Sequence, residues 1–496
     1  MAETYSLRPL VALLVPLSPL VLNLFIPQDM KRLRKFTYLM GSLVSFVVVL
    51  SLLPGTLSGR TLTVQLFPIV EGISLRLTLD ALGYYYGLTI SFLWILATFY
   101  SIGYIEHRED RFFSFMALTN FSLLGCAFSQ NMFTYFVFYE IMTLAAYPLI
   151  IHEETESARR AGLKYLTYAI PAGAVIFFAI AGHYFWGGGN LSLIEAGTLN
   201  LSQSSHAVLT VLFLAYLAGF GVKAAIMPLH GWVPDAHPEA PSPASALLSG
   251  VILKAGAFGI IRVVLNVFGL SLFKELRLDT YLIIISGITI VVASMFALTQ
   301  DNLKRRLAYS SIGQVSYILL GLSMGTYSGV LGSLMHLAHH ALMKGCLFLA
   351  AGVILVKTGK RNVSEMAGIG RRLPVTMTAF SVAALAMMGT PPSVGFLSKW
   401  LLGSGTIEAG EPAWIAVLLL SALLNAAYFL PIIYTAFFKE PEGTSSDESA
   451  HGSGESLPLV IPLVILTVLI VLGGLVTQLP GFPYSLLNET VSRLTH

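Results

Sequence analysis

Ionisable side chains interrupt several long apolar segments of this sequence. Glu140 is the one carboxylate deep within the run NMFTYFVFYEIMTLAAYPLI. Lys223, Lys254 and Lys399 each stand within another such run. If these runs cross a lipid bilayer, a charge at its centre costs roughly 2.5–3.5 kcal/mol on insertion scales. With Lys344, four lysines would cost on the order of 10 kcal/mol unless they are paired or hydrated. No structural need explains them, so we interpret them as parts of a path for protons or ions.

A second group of ionisable residues follows helical spacing in the segment SLMHLAHHALMKGCLFL. His336, His340 and Lys344 recur at i, i+4 and i+8, which places them on one face of a helix. His339 falls on a different face and is interpreted as a packed or surface histidine. Three polar groups aligned on one face of an apolar helix indicate a lined path.

Arg262 is the fifth basic residue within an apolar segment, and it lies near the end of that segment. A long side chain at such a position can extend its charged head to the water interface. Two interpretations therefore stay open for Arg262, a surface anchor or a functional charge.

The chemistry that these residue types support is proton transfer. Burial disfavours the charged form of glutamate and of lysine, whereas a Glu–Lys pair favours both charged forms. A lysine whose carboxylate partner approaches or recedes can therefore take up a proton from one side and release it to the other. Histidine titrates near neutral pH and can relay protons between such groups.

The composition places the chain in a membrane. Of its 496 residues, 55% are hydrophobic and 11% are charged, and the mean hydropathy is +0.76. Soluble domains carry about 25% charged residues. The net charge of +3 is small and its basic residues are scattered, which argues against nucleic acid as a partner. The two cysteines lie in apolar stretches, and the sequence has no CxxC, Cys/His cluster or Gly-rich phosphate loop, so we predict no catalytic residue, metal site or cofactor in this chain.

Hydropathy predicts an all-α polytopic membrane protein that forms one membrane domain over residues 1–496. A helix needs about 20 apolar residues to cross the hydrocarbon core. The N-terminal run is interpreted as the first helix and not as a signal peptide, because it has no basic n-region and no small-residue cleavage site. Counted from this first helix, there are fourteen candidate spans, at about 7–27, 36–54, 80–103, 112–129, 131–151, 164–186, 207–230, 240–266, 279–299, 307–324, 328–356, 374–402, 413–438 and 457–478.

Three kinds of segment depart from plain helix. GFGVKAAIMPLHGWVP in the seventh span and MMGTPPSVGFLSKW in the twelfth carry Gly and Pro at mid-span, which predicts two broken helices. Residues 60–79 alternate apolar and polar side chains, which predicts a small β-hairpin outside the membrane. Residues 187–206 are a polar connection, and residues 440–456 are acidic and Gly/Ser-rich, typical of a flexible loop.

Charge in the loops predicts the orientation. Lys and Arg residues of one set of loops outnumber those of the other by about three to one, and the richer side is expected to be cytoplasmic. Both termini then lie on the outer face of the cell membrane, in agreement with an even number of spans.

Several motifs resemble one family. KAAIMPLHGWVPDAHPEAPSPASALLSGVILKAGAFGIIR is similar to the seventh and eighth helices of the antiporter-like subunits of complex I, membrane-bound hydrogenases and Mrp cation/proton antiporters. FVFYEIMTLAAYPLI resembles the fifth helix of that family, HLAHHALMKGCLFL its eleventh, and TPPSVGFLSKW its broken twelfth. The resemblance covers about residues 60–440.

This resemblance implies a role for each ionisable residue. Glu140 and Lys223 would be the coupled pair of one half-channel, and Lys399 would end the path. Between them, the central residues implied are Lys254, His336, His340 and Lys344. The family also has two inverted repeats of five helices, here about 112–266 and 279–438. Residues implied to support the breaks are Pro228, His230, Asp235, His237, Glu239, Pro391 and Pro392.

The sequence motifs indicate the particular complex less clearly than they indicate the family. Lys399 and EAPSPASALLSG look closer to the Mrp and hydrogenase versions, so we expect a proton-translocating protein that resembles the D-type component of Mrp antiporters, with other membrane subunits as partners. Coupled movement of Na+ stays open. A first alternative is a proton-pumping subunit of a membrane-bound hydrogenase or of a complex I-type quinone oxidoreductase. A second is a stand-alone transporter or a paralogue that no longer pumps. Any redox chemistry would belong to a partner.

Overall fold

The computed structural model describes residues 3–57, 61–70, 73–202, 204–440, 455–475 and 483–495. The described chain is mostly helical, with one small β-sheet. The strands are β1 (Glu3–Tyr5), β2 (Thr61–Val70) and β3 (Ile73–Leu79). The helices are α1 (Arg8–Leu14), α2 (Ser18–Leu22), α3 (Lys31–Leu50), α4 (Leu53–Leu57), α5 (Ala81–Tyr104), α6 (Glu109–Ala127), α7 (Met132–Ile150), α8 (Glu156–Trp186), α9 (His206–Ala224), α10 (Val233–Glu239), α11 (Ser242–Leu247), α12 (Leu253–Arg262), α13 (Gly269–Glu275), α14 (Leu278–Thr299), α15 (Leu303–Met324), α16 (Tyr327–Thr358), α17 (Ile369–Arg372), α18 (Pro374–Met388), α19 (Val394–Glu408), α20 (Trp414–Phe438), α21 (Leu457–Leu475) and α22 (Pro483–Thr495).

Eleven helical segments among the described residues are long and apolar enough to cross a membrane. The other three predicted spans correspond to shorter or more polar helices. The first is built from the short helices α1 and α2, and the fourth is α6, whose first turn is charged. The twelfth is divided between α18 and α19.

Many of the long helices begin where the sequence provides a cap. In each case a side-chain oxygen accepts a hydrogen bond from a backbone N–H of the first turn, which satisfies a donor that has no partner within the helix. The capping residues of α5, α7, α8, α9, α15 and α16 are Asp80, Asn131, Thr155, Ser205, Asn302 and Thr326.

The sheet lies where the sequence alternates. β2 and β3 pair antiparallel, as the pattern over residues 60–79 predicts, with Arg60 and the tip residues 71–72 outside the described residues. β1 adds a third strand, parallel to β2, which the sequence did not indicate. The N-terminal strand therefore lies on the same face of the molecule as the hairpin. Residues 441–454 of the predicted acidic loop lie outside the described residues.

Both predicted helix breaks are present in the structure. α9 ends at Ala224, and Ala225 takes a left-handed backbone conformation with φ of 60°. Trp232 donates its indole N–H to the carbonyl of Val222 at 2.8 Å, which satisfies one of the carbonyls left free at the end of α9. In the second break, α18 ends before Gly389 and α19 begins at Val394.

Two π-helical turns interrupt the helix that continues from α11. They cover Leu248–Ile252 before α12 and Val263–Phe268 after it. Turns of this kind change the direction of side chains and carbonyls inside a helix and are frequent at functional sites. Every residue of α12 between them is buried, so the ionisable side chains of α12 lie in the centre of the protein.

Candidate functional site

Glu140 lies near the middle of α7 and is half-buried. Its Oε1 atom is buried and has no hydrogen-bond partner among the described residues. The carboxylate packs against Gly173 of α8 so closely that a Cβ atom at that glycine would lie 2.6 Å from Oε1. The carboxylate thus lies against the backbone of α8, and no described residue donates a hydrogen bond to its Oε1 atom.

Lys223 lies in the last turn of α9, and only 1% of it is exposed. Its ammonium donates to the Thr143 hydroxyl at 2.6 Å and to the Tyr165 hydroxyl at 3.2 Å. It also lies 4.6 Å from the centroid of the Tyr139 ring, a cation–π distance. Because Thr143 is three residues after Glu140 on α7, Lys223 contacts the helix turn that carries Glu140. Hydroxyl groups, and not the carboxylate, hold the lysine.

Lys254 lies in the first turn of α12 and is fully buried. Its ammonium donates to the carbonyl of Ser249 at 2.5 Å. Ser249 belongs to the π-helical turn before α12, and its hydroxyl lies 2.8 Å from the hydroxyl of Ser311 on α15. The irregular turn thus supplies the acceptor for a lysine that has no carboxylate partner among the described residues.

The predicted polar face of α16 exists. His336 and His340 are buried, and their rings stack nearly parallel with centroids 5.7 Å apart. The Nδ1 atom of His336 lies 2.9 Å from the hydroxyl of Ser398, whereas neither ring nitrogen of His340 has a hydrogen-bond partner in the described part of the chain. Lys344 is fully buried and donates to the carbonyl of Leu307 at 2.9 Å. His339 is half-buried, on another face of the helix.

Lys399 lies on α19, just after the second helix break. Its ammonium donates to the carbonyl of Met387 at 2.5 Å and lies 5.0 Å from the centroid of the Tyr317 ring. The Met387 carbonyl belongs to the last turn of α18, where carbonyls have no partner within the helix. Pro391 and Pro392 are exposed between the two helices. The break thus supplies the acceptor for this lysine.

The residues of the first break fall into two environments. Asp235 forms ion pairs with Lys164 at 2.6 Å and Arg305 at 2.9 Å, at the edge of a cleft of about 630 Å³. Glu239 lines the same cleft and accepts a hydrogen bond from Ser157 at 2.8 Å.

The other residues predicted to support the first break do not line this cleft. His237 is fully buried on α10, where its ring stacks on Phe348 at 4.7 Å. His230 is half-buried beside the ring of Tyr309, and Pro228 is exposed. Of the residues predicted to support the first break, Asp235 and Glu239 are the two that line the cleft.

The structure places two basic residues whose environment the sequence did not determine. Lys304, which the loop count assigned to the aqueous face, is buried and donates to the carbonyl of Ala240 at 2.5 Å. Arg262 does not extend to the surface: it is 1% exposed and binds both carboxylate oxygens of Asp80 at 2.6 Å. Asp80 at the start of an apolar run indicates a helix cap, and that signal does not reveal a second role as an ion-pair partner.

Comparison with known proteins identifies the family of the chain. Residues 129–425 match the family described as NADH:quinone oxidoreductase/Mrp antiporter, transmembrane. The chain is 34% identical to NADH-quinone oxidoreductase subunit N of Desulforudis audaxviator over 412 residues, which cover 81% of each protein. The chain therefore belongs to the NADH:quinone oxidoreductase/Mrp antiporter transmembrane family, and it is a multi-pass membrane protein.

Its relatives come from different complexes. The chain is 32% identical to hydrogenase-4 component B of Escherichia coli, with 84% of the chain and 65% of that protein covered. It is 27% identical to the D subunit of the Na(+)/H(+) antiporter of Bacillus subtilis, with 95% and 94% covered. Similarity to these relatives does not separate one type of complex from another.

Solved structures have the same fold over nearly the whole chain. A chain of the membrane-bound sulfane sulfur reductase, an archaeal respiratory membrane complex, matches with a TM-score of 0.84 and 25% identity, over 99% of this chain and 96% of that one. A chain of the Mrp complex from Dietzia sp. DQ12-45-1b matches with a TM-score of 0.84 and 21% identity, over 99% and 98%. The common fold is that of subunits in multisubunit membrane complexes.

Proposed function

We propose that this chain translocates protons along a line of ionisable residues inside a multisubunit membrane complex. One observation carries the proposal: the ammonium groups of the lysines on the line are held by neutral oxygen atoms, and none of them forms a salt bridge with a described residue. A lysine that is held in this way can release its proton without leaving a carboxylate unpaired. The four lysines are Lys223, Lys254, Lys344 and Lys399.

The line has a donor, a relay and an end. Glu140 can approach or withdraw from Lys223, because its Oε1 atom is bound to no other described side chain, and each movement changes how strongly Lys223 holds its proton. His340 has two ring nitrogens without a described partner, so it can accept a proton on one and release a proton from the other. In this proposal Lys254, Lys344 and His340 form the centre of the line, and Lys399 terminates it beside the break between α18 and α19.

The finer architecture is part of the same proposal. The chain crosses the cell membrane fourteen times, with α1–α2, α6 and the α18–α19 pair completing the eleven long segments. Both termini lie on the outer face. Two inverted repeats of five helices, at about 112–266 and 279–438, give the protein two half-channels that meet near α12 and α16. The support for the orientation is the three-to-one distribution of Lys and Arg between the two sets of loops.

In this proposal the chain is the D-type component of an Mrp antiporter complex, with H+ as the translocated ion and Na+ as a coupled ion. The support is the terminal lysine at position 399 and the segment EAPSPASALLSG, together with the nearly full-length similarity to the Na(+)/H(+) antiporter protein of Bacillus subtilis. The alternative, a pumping subunit of a hydrogenase or quinone oxidoreductase, is favoured by the higher identity to subunit N and to hydrogenase-4 component B. Purifying the native complex and identifying its subunits distinguishes the two.

Substitution of Glu140 tests the transport function. In vesicles that contain the whole complex, we expect Glu140→Ala to abolish ion flux while assembly on native gels is preserved, and Glu140→Asp to keep part of the flux. Glu156→Ala is the matched control, because Glu156 is 78% exposed and pairs only with Arg160 of the same helix among the described residues. Parental flux in Glu140→Ala would falsify the proposal.

A further inference from the structure

Two loops that are far apart in the sequence bring three potential metal ligands together. His107 lies in the turn between α5 and α6, and His152 and Glu153 lie in the turn between α7 and α8. Their ligand atoms all lie within 4.8 Å of one another. The Nε2 atom of His107 is 3.4 Å from a carboxylate oxygen of Glu153.

His152 is the unusual member of this group. Its side chain is buried, and neither ring nitrogen has a hydrogen bond of normal geometry with a described residue, the ring lying only in weak polar contact with the backbone of His107. The ring is stacked on His107 at 4.9 Å and meets the edge of Phe112 at 5.0 Å. Buried polar groups in proteins are nearly always well satisfied, so a buried imidazole without a well-formed hydrogen bond, with two other ligand atoms within 4.8 Å, indicates an absent partner.

The charges around the group leave one carboxylate available. Arg108, Arg111 and Arg159 all pair with Glu154, at 2.8 Å and 3.9 Å for the first and last of them. Arg111 also donates to the backbone carbonyl of His152 at 2.8 Å. The arginines thus pair with Glu154, and Arg108 also donates to the His152 carbonyl at 3.3 Å, whereas the carboxylate of Glu153 pairs with His107.

We infer that His107, His152 and Glu153 form a binding site for a divalent transition metal of the Zn2+ type. Two imidazoles and one carboxylate are a ligand set that Zn2+ accepts, with water in the fourth position. Bonds of about 2.0–2.1 Å in tetrahedral geometry place ligand atoms about 3.4 Å apart. The His107–Glu153 distance already has this value. The sequence did not indicate the site because its ligands come from separate turns.

The site lies where a bound metal should affect proton transport. This expectation rests on the proposed function. His152 follows directly after α7, the helix that carries Glu140. A bound ion would join the turn after α7 to the turn after α5. Movement of α7, and of Glu140 with it, would then be restrained, so Zn2+ bound at this site should slow proton flux.

Zn2+ binding to the purified complex tests the site without any assay of transport. After treatment with EDTA, the complex is titrated with ZnCl2 against a fluorescent chelator. We expect one Zn2+ to bind to this chain, and we expect His107→Ala, His152→Ala and Glu153→Gln each to weaken binding by roughly tenfold or more. His206→Ala is the control, because His206 is an exposed histidine at the start of α9.

Parental affinity in His107→Ala and Glu153→Gln overturns the site, as does an equal loss of affinity in His206→Ala. Should His152→Ala fail to assemble, the other two variants decide, because their side chains are 52% and 41% exposed. The consequence for transport has its own measurement: Zn2+ should slow flux in the parent and not in His107→Ala. Absence of flux in the Zn2+-free parent would contradict the proposed function and leave the binding result unaffected.

Discussion

The carboxylate of Glu140 lies against the backbone of Gly173, where the absence of a side chain is what makes room for it. A Cβ atom at position 173 would lie 2.6 Å from Oε1 and 2.8 Å from the carboxyl carbon of Glu140. Real Cβ atoms essentially never approach other heavy atoms so closely. The position of the carboxylate, and its distance from Lys223, therefore depends on a glycine in the neighbouring helix.

Gly173→Ala should separate stability from transport. Alanine is favoured over glycine in a helix by about 0.5–1 kcal/mol, and the flexible carboxylate can move aside, so we expect the complex to assemble normally. The displaced carboxylate should lower proton flux by roughly tenfold to a hundredfold. Flux in vesicles and native gels are the two measurements.

Gly403→Ala in α19 is the matched control, because a Cβ atom added at Gly403 would meet no atom within 4 Å. Equal flux in Gly173→Ala and Gly403→Ala would mean that Glu140 does not need its observed position.

The two neighbouring histidines of α16 should differ in their effects. His340 is buried, with neither ring nitrogen paired to a described residue, whereas His339 is half-buried on another face. We expect His340→Ala to slow flux by roughly a hundredfold, the scale of losing one proton-transfer group. His339→Ala should stay close to the parental rate. Equal effects of the two substitutions would assign the cluster to packing.

Lys399 tests the end of the line. The carbonyl of Met387 and the ring of Tyr317 hold its ammonium beside a helix break. We expect Lys399→Glu to retain measurable flux with a shifted pH optimum, because a titratable group remains at this depth. Lys399→Met, similar in length but without a proton to transfer, should be inactive though assembled. If flux through Lys399→Met equals that of the parent in a pH-gradient assay, the exit lies elsewhere.

The buried pair of Asp80 and Arg262 should matter for stability. Asp80→Asn keeps a cap for the Gly83 N–H, because asparagine caps helices as well as aspartate does. It leaves Arg262 buried without a counter-charge, which should lower the free energy of unfolding by about 3–5 kcal/mol. The melting temperature of the purified complex measures this effect.

A surface pair provides the control for that measurement. Asp279 pairs with Lys274, whose side chain is 41% exposed. Asp279→Asn should change the free energy of unfolding by at most about 1 kcal/mol. Similar melting temperatures for Asp80→Asn and Asp279→Asn would contradict a structural role for the buried pair.

Hydropathy and periodicity predicted the features that repeat along the chain. The apolar runs became helices, the alternating stretch became β2 and β3, and the i, i+4, i+8 spacing put His336, His340 and Lys344 on one buried face. These predictions succeed because each depends on neighbours within one element. The family followed from motifs of the same local kind.

What the sequence could not reveal are partners that come from distant elements. Lys304 stands in a run of three basic residues, typical of a loop, but the end of α10 covers it and supplies its acceptor. Glu140 and Lys223 were predicted as a pair, whereas the hydroxyls of Thr143 and Tyr165 hold the lysine. Hydroxyl groups are common in every helix, so their selection depends on the packed structure.

The ion pair of Asp80 and Arg262 also constrains how the protein is made. Its partners are 182 residues apart, so the ribosome completes Asp80 and the whole of α5 well before Arg262 is synthesised. An arginine that enters the membrane without a partner is unfavourable, so α12 can settle only against an α5 that is already inserted with Asp80 at the correct end. A chain in which α5 is inserted in the wrong orientation would leave Arg262 without its partner in the bilayer. Such a chain becomes a target for the proteases that remove misassembled membrane proteins.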